Sequence, residues 1–532
     1  MRRLAVALAA LIACRSPAAP VPPPAPPKLV VLIVIDQLPS WAFERDRALF
    51  TGGLGRLLRE GGYVRKAELP YANTFTAPGH ATIATGAVPR VHGVVGNTWW
   101  SRADQRERSA ELDPTAPIFA VANVEKAPTT GASGRALRVQ GIADVLRTAT
   151  DNHGRAIAIS LKARSACLVT GQHPELAVWY DAAAGGMTTS TAYANEAPPW
   201  LVELARAKPP ARFVNQTWSP LDPALLAKHT RIADDAPGEG ALHGMGRAFP
   251  HLVHDTEELM HTPFADEIVL DAVYAALEPM QLGADDVPDL LAISFSAHDY
   301  AGHNWGPDSW ESLDLTLRLD AALGTLFSTL DRRVGPDGWA AVLTSDHGAT
   351  PLVERSRVAG AKRLPTAEIA AAVGPLVSKV ASNEVYMSTA WAQLAPADRR
   401  SALDAAIATV HAKFPDLDVF DTSDTSHCTE TSLAGDVCRA TVPGEAGELY
   451  LAPHRGFVVT EYTTGTHHDA PNADNTEVPI LVRAPGIKPQ IVERGSLLQV
   501  APTLAALLGV PPPTSASEKP LFGLAARSPA PP

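Results

Sequence analysis

The stretch Lys28-Leu-Val-Val-Leu-Ile-Val-Ile35, which ends at Asp36, decides the fold class predicted for this sequence. An unbroken aliphatic run of this kind is typical of a strand that is buried on both faces of a parallel sheet. Further strand-like segments follow it at residues 155–160, 289–295, 339–345 and 456–462. Helical patterns lie between and after them, for example at residues 53–60, 141–148 and 502–509. The alternation predicts an α/β fold with a mainly parallel central sheet flanked by helices.

Polar residues directly follow each of these strand-like segments. They are Asp36, Lys162 with Arg164, Asp299 with His303, Asp346 with His347, and the adjacent His467 and His468. Ligands of parallel α/β sheets bind beyond the carboxyl ends of the strands. The sequence therefore predicts that these side chains meet at one edge of the sheet. Two segments interrupt the alternation, at about 168–288 and 364–452, and we expect both to be insertions that roof the site.

The composition excludes some classes of partner. The chain has 532 residues and a formal net charge of −12, without a block of basic residues. Surfaces that bind nucleic acid are basic, so we expect no nucleic acid partner. Net charge does not exclude small anionic substrates, which respond to the local field. We expect one catalytic domain over residues 29–510, a tail at 511–532, and a monomeric protein.

The first residues have the pattern of an export signal. Arg2 and Arg3 precede an apolar stretch that is too short to span a bilayer, and residues 1–14 end in Leu-Ile-Ala-Cys14. This ending resembles the lipobox of bacterial lipoproteins, although a plain secretory signal would account for the same stretch. Residues 15–28 are rich in Pro and Ala and predict an extended tether. We expect an exported, periplasmic protein that reaches the membrane only through an N-terminal lipid anchor.

Three cysteines remain after the export signal. Disulfides persist in oxidising compartments, so Cys428 and Cys438, with nine residues between them, form the predicted pair. Cys167 closely follows a strand-like segment and is predicted to be a buried free thiol.

The segment Asn73-Thr-Phe-Thr76-Ala-Pro-Gly-His80 predicts the start of a helix, because a proline near the first position loses no hydrogen bond there. Thr76 then lies at a helix N-terminus, where free N–H groups favour an oxyanion or a phosphate. A hydroxyl is a poor nucleophile until its proton is removed or shared, and a divalent metal can do this. The alternative is that Thr76 merely caps the helix.

Six or seven oxygen and nitrogen donors accompany this hydroxyl in the sequence. They are Asp36, Asp299, His303, Asp346, His347 and one or both of His467 and His468. Asp299 and His303 are four residues apart, which brings both side chains to one face of a helical turn. Together the donors suffice for two zinc-like sites with three protein ligands each. Any single pair also fits a helix cap or a hydrogen-bonded histidine in the core.

These residues stand in motifs that resemble the alkaline phosphatase superfamily. The matching stretches are Ile35-Asp36-Gln, Asn73-Thr-Phe-Thr76-Ala-Pro-Gly-His80, His92-Gly-Val-Val-Gly-Asn97, Lys162-x-Arg164, Asp299-Tyr-x-Gly-His303, Ser345-Asp346-His347-Gly, and His468 ten residues before Val478-Pro479. Within the superfamily the sequence resembles the threonine-nucleophile (PafA-type) alkaline phosphatases, beside the nucleotide pyrophosphatase/phosphodiesterases. The resemblance extends from about Val30 to Gly509 and is weakest in the two insertions.

The resemblance implies two bound Zn²⁺ ions and a set of groups that bind phosphate. One ion would be held by Asp299, His303 and His468, and the other by Asp36, Asp346, His347 and the Thr76 oxygen. The phosphoryl oxygens would be bound by Asn97, Lys162 and Arg164. The family has a single His followed by Gly where this chain has His467-His468-Asp469. His468 is chosen as the ligand for its spacing to Val478-Pro479, and His467 is the alternative.

The resemblance also implies a reaction. The protein would be a zinc-dependent hydrolase of small-molecule phosphate monoesters, in which Thr76 attacks phosphorus and the resulting phosphothreonine is hydrolysed by water. A phosphodiesterase or nucleotide pyrophosphatase with the same metals is the nearest alternative. A non-catalytic, lipid-anchored protein that binds metal or phosphate is the alternative from another class, and the complete set of reactive residues argues against it.

Overall fold

The computed structural model describes residues 26–124, 128 and 130–525. The predicted export signal at 1–14, with Cys14, lies outside the described residues, as do most of the predicted tether and the end of the tail. Across the described ranges, no helix combines the length and the apolar character needed to cross a membrane.

One large sheet forms the centre of the fold. Within the described residues its strands are β1 (Leu29–Ile35), β2 (Gly62–Glu68), β3 (Ala156–Ser160), β4 (Leu176–Asp181), β5 (Gly186–Thr188), β6 (Asp289–Phe295), β7 (Trp339–Thr344), β8 (Glu477–Arg483) and β9 (Gln490–Ser496). Their order across the sheet is β9-β2-β8-β7-β1-β6-β3-β4-β5. Most neighbouring pairs are parallel, the exceptions being β2 with β8, β8 with β7, and β4 with β5. The predicted α/β fold with a mainly parallel sheet is therefore confirmed.

Strand β1 lies in the middle of the sheet, and all of its residues are buried. It runs parallel to β6, where Ile35 pairs with Phe295, and parallel to β7, where Val34 pairs with Thr344. Strand β3 continues the parallel series beyond β6. The carboxyl ends of these strands consequently lie side by side at one edge of the sheet, and the residues that follow them are brought together there.

The side chains of β1 alternate between two hydrophobic clusters, one on each face of the sheet. The cluster that contains Leu29, Val31 and Ile33 is completed by helices that include Gly53–Glu60, Pro263–Leu277 and Trp310–Val334. The cluster that contains Val30, Leu32 and Val34 is completed by helices that include Thr76–Thr85, Ile142–Ala149 and Val500–Leu508. Because helices cover both faces, the strand has no polar position.

The second predicted insertion forms a smaller unit with its own core. Its antiparallel sheet has the strands Val377–Ala381, Glu384–Met387, Leu449–Pro453 and Leu417–Asp421, in that order. The helices Thr366–Val373 and Pro396–Lys413 contribute to the same core. A disulfide joins Cys428 to Cys438, and Cys167 is buried and unpaired, so both cysteine predictions are confirmed.

Two segments differ from what the sequence predicts. Segment 456–462 is not a strand of the central sheet, since only Val458–Val459 is extended and pairs with Arg363–Leu364. Residues 456–460 are buried, but Phe457 and Val459 pack in the core of the smaller unit and not against the central sheet. The strands β4 and β5 belong to the central sheet, although their residues fall within the first predicted insertion. Strand β4 ends in Trp-Tyr-Asp and lacks the long aliphatic run that marks β1.

Candidate active site

Two groups of metal-ligand type lie at the carboxyl edge of the central sheet. Within each group, one donor atom per residue can be chosen so that all of them lie within 4.8 Å of one another. The first group consists of Asp299, His303 and His468, and the second consists of Asp36, Asp346 and His347. The structure therefore brings together every metal-ligating side chain of the two predicted ligand sets, apart from the Thr76 hydroxyl, in the same grouping.

The first group is held by a short helix and a loop. Asp299 and His303 lie on the helix Ala297–Trp305, where the Asp299 carboxylate is 3.3 Å from His303 Nε2. His303 Nδ1 lies 2.8 Å from the carbonyl of Thr466, and His468 Nδ1 lies 2.5 Å from the carbonyl of Thr74. A carbonyl can only accept, so each Nδ1 donates, and Nε2 is the ring nitrogen left to face a metal ion. Such hydrogen bonds orient histidines that bind metals.

The second group follows β1 and β7. His347 Nδ1 lies 2.9 Å from the carbonyl of Gly348, while its Nε2 lies 3.6 Å from Asp36 Oδ1. Asp36 Oδ1 and His347 Nε2 are buried and have no hydrogen-bond partner. Buried polar atoms are nearly always paired, and leaving one unpaired costs roughly 1–3 kcal/mol. These neighbouring orphaned lone pairs fit a bound divalent cation.

The charges of the site agree with this fit. Burial, with the neighbouring Asp299 and Asp346 carboxylates, raises the pKa of Asp36 to about 6. Burial, together with the neighbouring histidines, lowers the pKa of His468 well below its usual value, so this imidazole is neutral at pH 7. Metal ligation needs neutral histidine and ionised carboxylate. A cation would stabilise the crowded carboxylates, and the donor set without a thiolate suits zinc.

Thr76 occupies the first turn of the helix Thr76–Thr85 and is 1% exposed. Its Oγ is buried and makes no hydrogen bond. The N-cap position of this helix is Phe75, and no side chain makes a capping hydrogen bond there, so Thr76 does not cap the helix. Further along the helix, Gly79 packs against Asp346, and a Cβ at this glycine would lie only 2.3 Å from the Asp346 carbonyl oxygen. The glycine therefore allows the helix to approach the second group closely.

The preceding residue links Thr76 to the first group. The ring of Phe75 meets that of His468 edge to face, with centroids 5.6 Å apart. Thr74 also donates its hydroxyl to the carbonyl of His468. Contacts to one donor group thus precede Thr76 in the chain, and contacts to the other follow it.

Three further residues are those predicted to bind phosphate. The Asn97 side-chain carbonyl accepts a hydrogen bond of 2.8 Å from the backbone N–H of Ala77. Lys162 is buried and donates 2.7 Å to Asp36 Oδ2, and it also donates to Asp299, so it joins the two donor groups. Arg164 lies in the helix Ala163–Leu168, and its Nε is buried without a partner.

The two adjacent histidines of the loop have different surroundings in the structure. His468 is buried within the first donor group, whereas His467 is half-buried and lines an open cleft beside Phe75 and Asn97. The rings of the two histidines are stacked with centroids 4.8 Å apart, so His467 lies against the first donor group without belonging to it.

Among the other histidines near the motifs, His80 contacts both Thr76 and the second donor group. Its Nδ1 is 3.2 Å from Asp346 Oδ2 and 2.9 Å from the Thr76 carbonyl, and its Nε2 is 2.8 Å from the Ser294 hydroxyl. His80 thereby connects the helix Thr76–Thr85 to the second group without belonging to it. The four-residue spacing of Thr76 and His80 was the signal for this contact. His92 instead contacts Thr82, and His298 lies 3.3 Å from the Asp36 carbonyl.

Known proteins resemble this chain over nearly its full length. The alkaline phosphatase PafA of Elizabethkingia meningoseptica is 28% identical over 527 residues, which cover 93% of this chain and 94% of that protein. The alkaline phosphatase PhoV of Synechococcus elongatus is 29% identical over 517 residues, which cover 92% of this chain and 92% of that protein.

The structural comparison leads to the same proteins. A crystal structure of wild-type alkaline phosphatase PafA is similar with a TM-score of 0.85 and 28% identity, covering 94% of this chain and 99% of that chain. The family model described as type I phosphodiesterase / nucleotide pyrophosphatase matches residues 30–476. All of β1 except Leu29, the segment that contains Thr76 and the loop with His468 fall within this range, and the chain belongs to the type I phosphodiesterase / nucleotide pyrophosphatase family.

Proposed function

We propose that this protein is a phosphate monoester hydrolase of the alkaline phosphatase type, with Thr76 as its nucleophile. Its similarity to PafA and PhoV supports the class of reaction. The observation that carries the proposal is the Thr76 hydroxyl, which is buried without a hydrogen bond at a helix N-terminus. A buried hydroxyl that caps nothing is accounted for if it attacks a substrate and shares its proton with a bound cation.

The position of Thr76 in the fold supports this role as a nucleophile. The helix begins at Thr76, and the positive end of its dipole at this N-terminus favours a phosphoryl group. The contacts of Phe75 with His468 and of Gly79 with Asp346 hold Thr76 next to both donor groups. Positioning the hydroxyl in line with phosphorus is the main task of a protein in phosphoryl transfer.

Asn97 and Arg164 are proposed to bind the oxygens of the phosphoryl group. Since the Asn97 carbonyl already accepts from Ala77, its amide nitrogen is left to donate, and Asn97 borders the open cleft. Arg164 has an unpaired buried Nε, and a guanidinium can donate two parallel hydrogen bonds to phosphate. Lys162, held between Asp36 and Asp299, adds its positive charge to the site.

We assign a metal ion to each donor group, the first to Asp299, His303 and His468 and the second to Asp36, Asp346 and His347 with Thr76. Two Zn²⁺ ions are proposed because the donors are carboxylates and imidazoles without a thiolate. When bound, such ions lower the pKa of the attacking hydroxyl and stabilise the charge of the leaving oxygen.

A phosphodiesterase or nucleotide pyrophosphatase is the second candidate, because the matching family model bears that description. The two reactions use the same nucleophile and metals, and they differ in the third oxygen of the transferred group. A monoester presents a third terminal oxygen with negative charge, whereas a diester presents a substituent there. Arg164 favours the monoester, since a guanidinium binds an anionic oxygen more strongly than an ester oxygen.

The deciding experiment compares two esters that share a leaving group. Purified, zinc-loaded protein is assayed with 4-nitrophenyl phosphate and with bis(4-nitrophenyl) phosphate. We expect a higher kcat/KM for the monoester. A preference for the diester would make the protein a phosphodiesterase, and the absence of turnover of both would overturn the catalytic proposal.

We also propose that the protein is exported, anchored by lipid at Cys14 and monomeric. Export and the anchor are supported by the short apolar stretch and its ending Leu-Ile-Ala-Cys14. Mass spectrometry of the mature N-terminus tests the anchor, because an unmodified terminus beyond Cys14 would exclude it. Light scattering of the purified protein tests the monomer.

A further inference from the structure

An open cleft of about 200 Å³ adjoins the active site. Its wall includes Phe75, which precedes the nucleophile, and His467, which precedes a residue of the first donor group. The small insertion unit supplies the opposite wall with Val380 and Asn383.

His467 covers the outer side of the first donor group. Its ring lies 4.8 Å from that of His468, with planes inclined by 27°, and 5.2 Å from that of His303. Phe75 meets His467 at 6.1 Å and 71°. In an in-line displacement the leaving oxygen departs on the side opposite the nucleophile. With Thr76 as the nucleophile beside the second group, that side is the first group, and a substituent on the leaving oxygen extends past His467.

The chemistry of the cleft selects its occupant. Within the described residues, the side chains that line it are aromatic, aliphatic, hydroxyl, amide or imidazole, and none is a lysine, arginine, aspartate or glutamate. Thr366 lines the cleft and donates its hydroxyl to the carboxylate of Glu461. Within the described residues, the wall has no cation that could bind an anionic leaving group. The carboxylate of Glu461, next to Thr366, would repel such a group. An uncharged substituent is favoured instead.

The shape of the wall favours a flat ring. Phe75 and His467 present two aromatic surfaces at a large angle, so a planar group can stack on one ring and contact the edge of the other. We propose that this cleft binds the leaving group of the ester, that it selects an uncharged aryl or nucleoside group, and that His467 contacts this group directly. The inference rests on the proposed phosphatase function.

The test compares esters that differ only beyond the leaving oxygen. We expect His467→Ala to lower kcat/KM for adenosine 5′-monophosphate by about 3- to 10-fold, the range for a lost aromatic contact. Hydrolysis of methyl phosphate, whose leaving group is too small to reach His467, should stay within about 2-fold. The control is His454→Ala, because His454 is a largely exposed histidine paired with Asp418 and absent from the cleft wall. An equal loss on both esters would show that His467 acts through His468, and no loss on either would show that the cleft is empty during turnover; both outcomes overturn the inference.

A binding measurement separates this inference from the proposed function. Calorimetry on zinc-loaded Thr76→Ala protein compares adenosine 5′-monophosphate with inorganic phosphate. We expect the nucleotide to bind more tightly, and the added change His467→Ala to remove the difference. Equal affinities in the Thr76→Ala protein would overturn the inference. If the nucleotide binds more tightly but the unaltered protein hydrolyses no ester, the assignment of the cleft stands and the phosphatase proposal is overturned.

Discussion

The imidazole rings of His347 and His468 are stacked, with centroids 3.8 Å apart and planes inclined by 20°. His347 follows the end of β7 and belongs to one donor group, whereas His468 lies in a distant loop and belongs to the other. Two protonated rings would repel each other at this distance, and burial already lowers the pKa of His468. The stack therefore joins the two donor groups into a single site.

Removal of metal should abolish activity. Chelated, dialysed protein is expected to lose turnover of phosphate monoesters, and Zn²⁺ should restore it better than Mg²⁺ because imidazole donors suit zinc. The thermal unfolding midpoint should fall on chelation as well, since a ligand that binds only the folded state stabilises it. Metal content is measured alongside. Full activity in protein without detectable metal would contradict the two-metal assignment.

Thr76→Ala should remove the covalent route and lower kcat by at least about 10³-fold, as expected when a nucleophile is deleted. Thr76→Ser keeps the hydroxyl and should keep a measurable part of the activity. The intermediate is trapped by acid quenching during turnover, and its position is mapped by peptide mass spectrometry. A phosphoryl group on another residue would reassign the nucleophile, and no loss in Thr76→Ala would exclude it.

Arg164→Ala should weaken hydrolysis of monoesters by about 2 kcal/mol in kcat/KM, the scale of one hydrogen bond between charged groups. Diester hydrolysis should change much less, because a diester lacks the third charged oxygen. The matched control is Arg155→Ala at the opposite end of β3, where Arg155 pairs with Asp285. An equal loss on both esters would assign Arg164 a structural role.

Lys162→Ala is expected to behave differently from Arg164→Ala. Burial opposes the charge of Lys162, but Asp299 and Asp36 raise its pKa well above the usual value. Removing the lysine leaves two buried carboxylates uncompensated, and such breakage costs about 3–5 kcal/mol. We therefore expect the metal-free variant to unfold at lower denaturant concentration, and added Zn²⁺ to reverse much of the loss. The double variant with Arg164→Ala should combine this effect with the selective loss on monoesters.

The disulfide should stabilise the second insertion. Cys428 and Cys438 are separated by 10 positions, and cross-linking so short a loop is worth about 2–3 kcal/mol in the chain-entropy description. The double change Cys428→Ser with Cys438→Ser should lower the free energy of unfolding by that amount. Reductant should lower the stability of the unaltered protein similarly and leave the variant unchanged. If reductant affects both equally, the loss has another cause.

Asp266 should make stability fall as pH rises. Burial raises its pKa from 3.8 to about 8, against a hydrogen bond from the backbone of Ala297. A carboxyl with a raised folded-state pKa contributes stability that is fully present below about pH 4 and is lost as pH rises through about 8. Asp266→Asn, which resembles the neutral acid, should therefore gain stability relative to the unaltered protein as pH rises from about 4 to about 8. A pH-independent difference in urea unfolding would contradict this.

Much of the fold was determined by the sequence alone. The run that becomes β1 is aliphatic at every position because both faces of the strand are covered, and few folds other than a parallel sheet with two covered faces produce such a run. The ends of β1, β6 and β7 must then meet, so the clustering of Asp36 and Asp346 followed from the order of the elements. Spacing alone also placed Asp299 and His303 on one helical face, because contacts within one turn are local.

Other features depended on long-range packing, which leaves no local pattern. The prediction of a strand of the central sheet at 456–462 was wrong. The strand that lies next to β7 is β8, which comes later in the chain and runs antiparallel to both β7 and β2. Lys162 was predicted to bind phosphate. Its contacts with Asp36 and Asp299 left no signal in the sequence, because they depend on β1, β6 and β3 lying side by side. The unpaired hydroxyl of Thr76 and the cleft beside His467 were likewise decided only by tertiary structure. Sequence determines which groups are present and their local geometry, whereas partners from distant segments are set by how the whole chain packs.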